Sequence, residues 1–300
     1  SDLGVRIHPE GRAYVFPVIG GFVGGDTVAG IVATSLADTP RPTVLVDIGT
    51  NGEIVVCHGG RTLATSTAAG PAFEGARITY GMRATAGAIE KVMIDDDLRI
   101  NVIGDVPPVG LCGSALVDIV AELLRCGILI REGLILSPEQ LPPTLPEALR
   151  ARVAVTDEGP AFVLATQEES GIDGPVLLTQ RDVRELQLAT AAIRAGFVIL
   201  LRRVGLELEN VDRVLLAGGF GNFIRRSNAQ RIGLLPEALE RHKIQFVGNT
   251  SLAGARLAAA SQQIRERAGD LARRTQHVDL SMDPAFQMEY VEAMFFPEPA

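Results

Sequence analysis

The chain has 300 residues, 47% of them hydrophobic, enough for one large domain or two lobes built on a substantial core. The formal net charge is −8, the arginines are scattered, and no apolar stretch reaches the ~18 residues of a membrane span, which argues against a nucleic-acid-binding surface and against a membrane helix. Cys57, Cys112 and Cys126 form no CxxC pair and the four histidines show no ligand spacing, so neither an iron–sulfur cluster nor a zinc site is expected within the chain.

In chain order, short apolar runs alternate with helical patterns, the signature of an α/β fold. The opening Ser1-Asp2-Leu3-Gly4 has neither a Met nor a secretory leader and reads as a cut from a longer chain, with processing as the alternative, and the reduced cysteines suit the cytoplasm. Gly24-Gly25-Asp26-Thr27 heads a helical pattern over 28–36. Strands are expected at 44–47, 53–57 and 61–65, joined by glycine-rich turns. A strongly amphipathic helix over 112–126 is read with Ser114 as its cap. Pro142, Pro143 and Pro146 mark a surface loop, the best place for a mobile segment. A hairpin at 152–155 and 161–166 precedes the longest helix, 181–204, in which Val183, Leu186, Ala189, Ile193, Phe197 and Leu200 recur at helical spacing. Strands at 211–216 and 243–247 are followed by a small-residue helix at 251–261, and an amphipathic tail helix is read over 279–296.

The segment DIGTNGE, 47–53, leaves an apolar strand through an acid, two glycines and small polar residues, then starts another strand at once. Asn51-Gly52 is a strong signal for a plain hairpin. The same glycines could instead line successive N–H groups along one side of a turn and so bind an anion, with the Thr50 hydroxyl as a further donor and Asp47 positioned to hold Mg2+. Gly218-Gly219-Phe220-Gly221, ending the 211–216 strand, is either a packing turn or a bend that lets a flat or phosphorylated ligand approach the backbone. Asp26 is either a helix N-cap or a group that orients water at a phosphate. Glu74, in the nearly uncharged stretch STAAGPAFEGA, is either a solvated turn residue or a functional acid. The VGLCGSA stretch, 109–115, could present N–H groups to an anion but reads more simply as a helix entry, and Cys112 reads as a small packing residue.

Taken in order, GGDTVAG, VDIGTNGE, VLLAGGFG and GNTSLAGA resemble the actin, Hsp70 and sugar kinase superfamily. That resemblance implies a ribonuclease H-like lobe with a mixed sheet flanked by helices. It assigns Gly49, Thr50, Asn51 and Gly52 to the second phosphate hairpin, Asp47 to Mg2+ through water, Asp26 to catalysis, and Gly218, Gly219 and Gly221 to the adenosine loop. Longer stretches, among them ATSTAAGPAFEGARITYGMRATAGAI, PVGLCGSALVDIVAELLRCGI, TQRDVRELQLATAAIRAG and AMFFPE, resemble the C-terminal domain of reductive activators of corrinoid proteins. This closer resemblance implies ATP-driven return of a Co(II) corrinoid on a methyl-carrier protein to Co(I). It further implies a homodimer, and a 2Fe-2S domain and first phosphate loop lying outside the chain. On that reading 1–42 ends the first ATPase lobe with an inter-lobe helix, 43–270 is the second lobe, and 271–300 is a C-terminal strand and helix. Half of the phosphate clamp would then be missing, so the stretch alone is expected to be inactive or weakly active. Glu74 is the first guess for a corrinoid- or partner-facing residue. A small-molecule kinase of the same superfamily and a non-catalytic protein-binding module are the alternatives.

Overall fold

The computed structural model describes residues 4, 6–8, 10–219 and 224–298. Helix α1 (Gly25–Thr34) leads into a meander of strands, β1 (Thr43–Ile48), β2 (Gly52–His58) and β3 (Arg61–Thr67). There follow β4 (Ala88–Ile94), β5 (Leu98–Val102), β6 (Gly110–Leu111), α2 (Gly113–Cys126), α3 (Glu147–Arg150), β7 (Val153–Thr156), β8 (Gly159–Ala165) and β9 (Val176–Leu178). The long α4 (Gln180–Val204) then returns the chain to β10 (Arg213–Ala217), α5 (Arg226–Arg231), β11 (Ile244–Gly248), α6 (Thr250–Ala260), α7 (Gln262–Arg274), β12 (Gln276–His277) and α8 (Pro284–Ala293).

The principal sheet has the order β11-β10-β1-β2-β3-β12. β2 runs antiparallel to both its neighbours, whereas β10 is parallel to β1 and β11 is parallel to β10. This mixed sheet is the ribonuclease H-like lobe that the motif order implied. Two small three-stranded sheets, β5-β4-β6 and β7-β8-β9, lie outside it. Both faces of the principal sheet are covered, which is why β1 reads as a continuous apolar run rather than an alternation. Val44, Val46, Ile48, Ile54 and Val56 point into the larger core, shared with Leu186, Ile193, Phe197 and Leu200 of α4. Leu45, Val55, Cys57, Ala64 and Ala217 point the other way, into a smaller core with Val28 and Ile31 of α1 and Ala268 of α7. The strand period of two thus sorts the residues of β1 and β2 between two faces, and it places Asp47 and Glu53 on the α1 face with Leu45 and Val55.

Helix α4 is fixed at its start by a reciprocal cap between Thr179 and Asp182, and at its end by Gly205 in the left-handed conformation (φ 69°). Helix α6 lies so close to α1 that a Cβ on Gly254 would stand 2.2 Å from the Ala29 carbonyl oxygen, which explains its small-residue composition.

Several expectations change. Ser114 is not the cap of α2: Cys112 holds that position, and the Ser114 hydroxyl donates to the Glu90 carbonyl at 2.8 Å, tying the helix to β4. The tail helix starts only at Pro284, because Asp283 caps it and β12 with its following turn takes up the residues before. The proline-marked loop is pinned: Leu141, Leu145 and Leu149 are buried, and the Arg150 guanidinium donates to the Pro142 carbonyl at 2.7 Å. Among the described residues no helix is long and apolar enough to cross a membrane.

Candidate nucleotide site

The β1–β2 turn spans 49–51, because Ile48 pairs with Gly52. It is therefore a three-residue loop, and Asn51-Gly52 is not the two-residue turn that the dipeptide suggests. Neither Gly49 nor Gly52 takes a positive φ. Gly52 is required by packing: a Cβ there would stand 2.6 Å from Ile193 of α4 and 2.9 Å from the Thr67 hydroxyl. The Gly49 N–H donates to the Asn51 carbonyl at 3.0 Å, whereas among the described residues no backbone bond uses the N–H of Thr50 or Asn51. Those two amides are the donors left free for an anion.

Register brings the acids together. Asp47 pairs with Glu53 across β1–β2 and with Ala217 across β1–β10, Glu53 pairs with Ser66 across β2–β3, and Ala217 pairs with Gly248 of β11. One lateral row, Gly248, Ala217, Asp47, Glu53, Ser66, therefore crosses five strands at one end of the sheet. Two of its members, Gly248 and Ala217, carry little or no side chain. Asp26 stands over this row at the start of α1. It is not the N-cap, which is Gly24; it is the second residue of the helix, exposed, with Oδ1 accepting from the Thr27 N–H at 2.8 Å.

Asp47 and Glu53 both feel burial and the charge of Asp26. Burial, and then the charge of Asp26, pushes Asp47 up to about 6. Glu53 is pushed up to about 7, chiefly by burial; the Ser66 hydroxyl, donating at 3.0 Å, opposes the rise, and Asp26 and Asp47 add to it. Among the described residues no ion pair reaches any of the three. Partly buried negative charge with no ion-pair partner is the environment that a cation relieves. Among the described residues no group of three His, Cys, Asp or Glu could hold a metal ion alone. Asp47 and Glu53 are the carboxylates here that could hold a hydrated cation such as Mg2+, which keeps waters and takes further oxygens from a bound phosphate.

The glycine bend lies directly beside this row. Gly218 has φ 100°, its N–H donates to the Gly248 carbonyl at 3.0 Å, and a Cβ on it would stand 2.5 Å from the Ile48 carbonyl and 3.0 Å from Asp47 Oδ1. Only glycine fits there. A Cβ on Gly219 would meet nothing within 4 Å among the described residues. Gly221 lies outside the described residues. Glu74, guessed to face a partner, is exposed, yet its Oε1 accepts from the Thr50 hydroxyl at 2.6 Å. The structure therefore gathers Asp26, Asp47, Thr50, Asn51, Gly218, Gly219 and Glu74 around one end of the sheet. Sequence reasoning missed Glu53 and Ser66. The pairing of Asp47 with Glu53 follows from a hairpin centred on Thr50, once a three-residue loop is assumed.

A ribonuclease H-like sheet with an acid-flanked hairpin between its first two strands and a glycine bend after its fourth defines a lobe of the actin, Hsp70 and sugar kinase class. The chain belongs to the family of reductive activators of corrinoid proteins: residues 41–300 match the family model described as the C-terminal domain of RACo, the ASKHA domain, and residues 1–39 match the RACo middle region. It is 36% identical over 297 residues to the corrinoid activation enzyme RamQ of Eubacterium limosum, covering 98% of this chain and 49% of that protein. It is 28% identical over 263 residues to a [Co(II) methylated amine-specific corrinoid protein] reductase of Methanosarcina barkeri, covering 80% of this chain and 43% of the relative. A solved structure of a reductive activator for corrinoid, iron-sulfur protein superposes with a TM-score of 0.85 at 39% identity, over 95% of this chain and 44% of the other. The chain spans about half the length of the curated relatives it matches.

Proposed function

We propose that this chain is the ATP-hydrolysing part of a reductive activator that returns the corrinoid of a methyl-carrier protein from Co(II) to Co(I), with the electron supplied by an iron–sulfur domain outside these 300 residues. The observation that carries the nucleotide half of this reading is the contact of the two loops: the Gly218 bend lies against Asp47 and Ile48, so a hairpin suited to phosphates and a bend suited to adenosine share one rim. The printed activities of the relatives support the corrinoid half.

On this reading the free amides of Thr50 and Asn51 and the Thr50 hydroxyl hold phosphate oxygens, with Gly49 and Gly52 shaping the hairpin. Asp47 holds Mg2+ through water, and the ion would neutralise charge on the phosphates. Asp26 orients the attacking water from the head of α1. Gly218 and Gly219 line the adenosine slot. Catalysis in such a site is mostly positioning and charge stabilisation. ATP drives the cobalt reduction only through a difference in how the two nucleotide states grip the corrinoid protein. The test is Asp47→Ala in the full-length protein, followed through the cobalt absorbance. Loss of ATP-dependent Co(II) reduction with an unchanged fold is expected; a normal ATPase rate in this variant would remove Asp47 from the Mg2+ role.

A further inference from the structure

The contact between Thr50 and Glu74 joins two segments 24 residues apart and occupies the one side-chain hydroxyl of the phosphate hairpin. A threonine hydroxyl has a single proton to give. Here it goes to the Glu74 carboxylate, so a phosphate oxygen bound at the hairpin must take that proton from Glu74. It must also accept, or expel, a second anionic group at hydrogen-bond distance from the same oxygen. The surroundings decide what can move. The short turn Pro71–Glu74 is held by the buried side chains of Ala72 and Phe73, and Gly75 behind it packs so closely on Gly81 and Met82 that a Cβ would stand 2.8 Å from the Met82 backbone. The turn is fixed, and only the exposed Glu74 side chain is free to swing.

We propose that Glu74 is a phosphate-displaced latch: it occupies the Thr50 hydroxyl while the hairpin is free of nucleotide, and a nucleotide phosphate turns it out toward the rim. This rests on the nucleotide reading above. Glu74 is then a positioning residue that sets a threshold for nucleotide binding. The displaced carboxylate changes the charge presented beside the site without any refolding of the turn.

The test is isothermal titration of full-length wild type and Glu74→Gln with ATP and, separately, with adenosine, which has no phosphate. Gln keeps an acceptor for Thr50 but removes the charge. Removing one unit charge about 4 Å from a phosphate in a water-like medium corresponds to about five-fold in affinity. ATP is expected to bind Glu74→Gln about five-fold more tightly, with adenosine affinity unchanged; Glu74→Ala should behave alike. Weaker ATP binding in both variants would overturn the latch and make Glu74 a helper of the phosphate or its metal. Equal shifts for ATP and adenosine would mark a structural role and overturn it as well. If wild type binds neither ligand, the nucleotide reading itself fails and the latch falls with it.

Discussion

Two partly or fully buried acids of this molecule stand in opposite circumstances. Asp118 on α2 is 1% exposed and fully partnered: it accepts from Arg225 at 2.9 and 3.2 Å, from the Asn228 side chain at 2.7 Å and from the Val92 N–H at 3.2 Å. It ties α2, β4 and α5 into one knot. Asp47, at the end of β1, has a neighbouring carboxylate on β2, another above it on α1, and no ion-pair partner among the described residues. A buried acid whose needs are met within the chain is structural; one whose environment is left repulsive awaits something from outside.

The largest effect should come from breaking the satisfied acid. Asp118→Ala leaves the buried Asn228 side chain and Val92 N–H without their acceptor, beside a half-exposed Arg225, and is expected to cost about 2–3 kcal/mol, read as a fall in the denaturation midpoint. Asp47→Ala should do the reverse. It is expected to abolish ATP-dependent turnover, by a factor of about 100 or more, while thermal stability in the absence of nucleotide holds or rises, because a carboxylate disfavoured by burial and then by the charge of Asp26 is gone. Glu53→Gln sharpens the contrast through pH. The folded state raises the pKa of Glu53 to about 7 and that of Asp47 to about 6, so between pH 4.5 and 7 it holds more protons than the unfolded chain. Stability therefore falls as pH rises through that window. Glu53→Gln should flatten this fall and stabilise the chain at pH 8 by about 1–2 kcal/mol, with little change at pH 4.5, by thermal denaturation across pH. The smallest stability effect belongs to Asp26→Asn. Because Gly24 caps α1, a change under about 0.5 kcal/mol is expected, with turnover lost and nucleotide affinity kept.

The sheet was legible in the sequence because both its faces are buried. Continuous apolar runs at β1 and β10, each followed by glycines, read as strands without any contact information. The 49–51 hairpin and the 218–219 bend were legible as punctuation, and their order pointed to the superfamily. The conformation behind the punctuation was not legible. Gly52 is a packing glycine against Ile193, a contact made across 141 positions of sequence that no local pattern records. Glu53 was hidden in plain view, since its importance depends on a three-residue loop that sets it opposite Asp47. The small sheet of β4, β5 and β6 was not read at all: Met93, Arg99 and Asn101 are solvent-facing, and β6 is only two residues long. Ser114 looked like a cap because Ser favours caps, but the hydroxyl found the Glu90 carbonyl of a neighbouring strand instead.

The most direct test is a titration of ATP with Mg2+ into the full-length protein, comparing wild type with Asp47→Asn, which keeps the shape of the side chain and removes its charge. Saturable Mg2+-dependent binding in wild type, with the Mg2+ dependence lost in Asp47→Asn, is the expected result. Identical Mg2+-dependent binding in both proteins would place the metal and the phosphates somewhere other than the rim between the β1–β2 hairpin and Gly218.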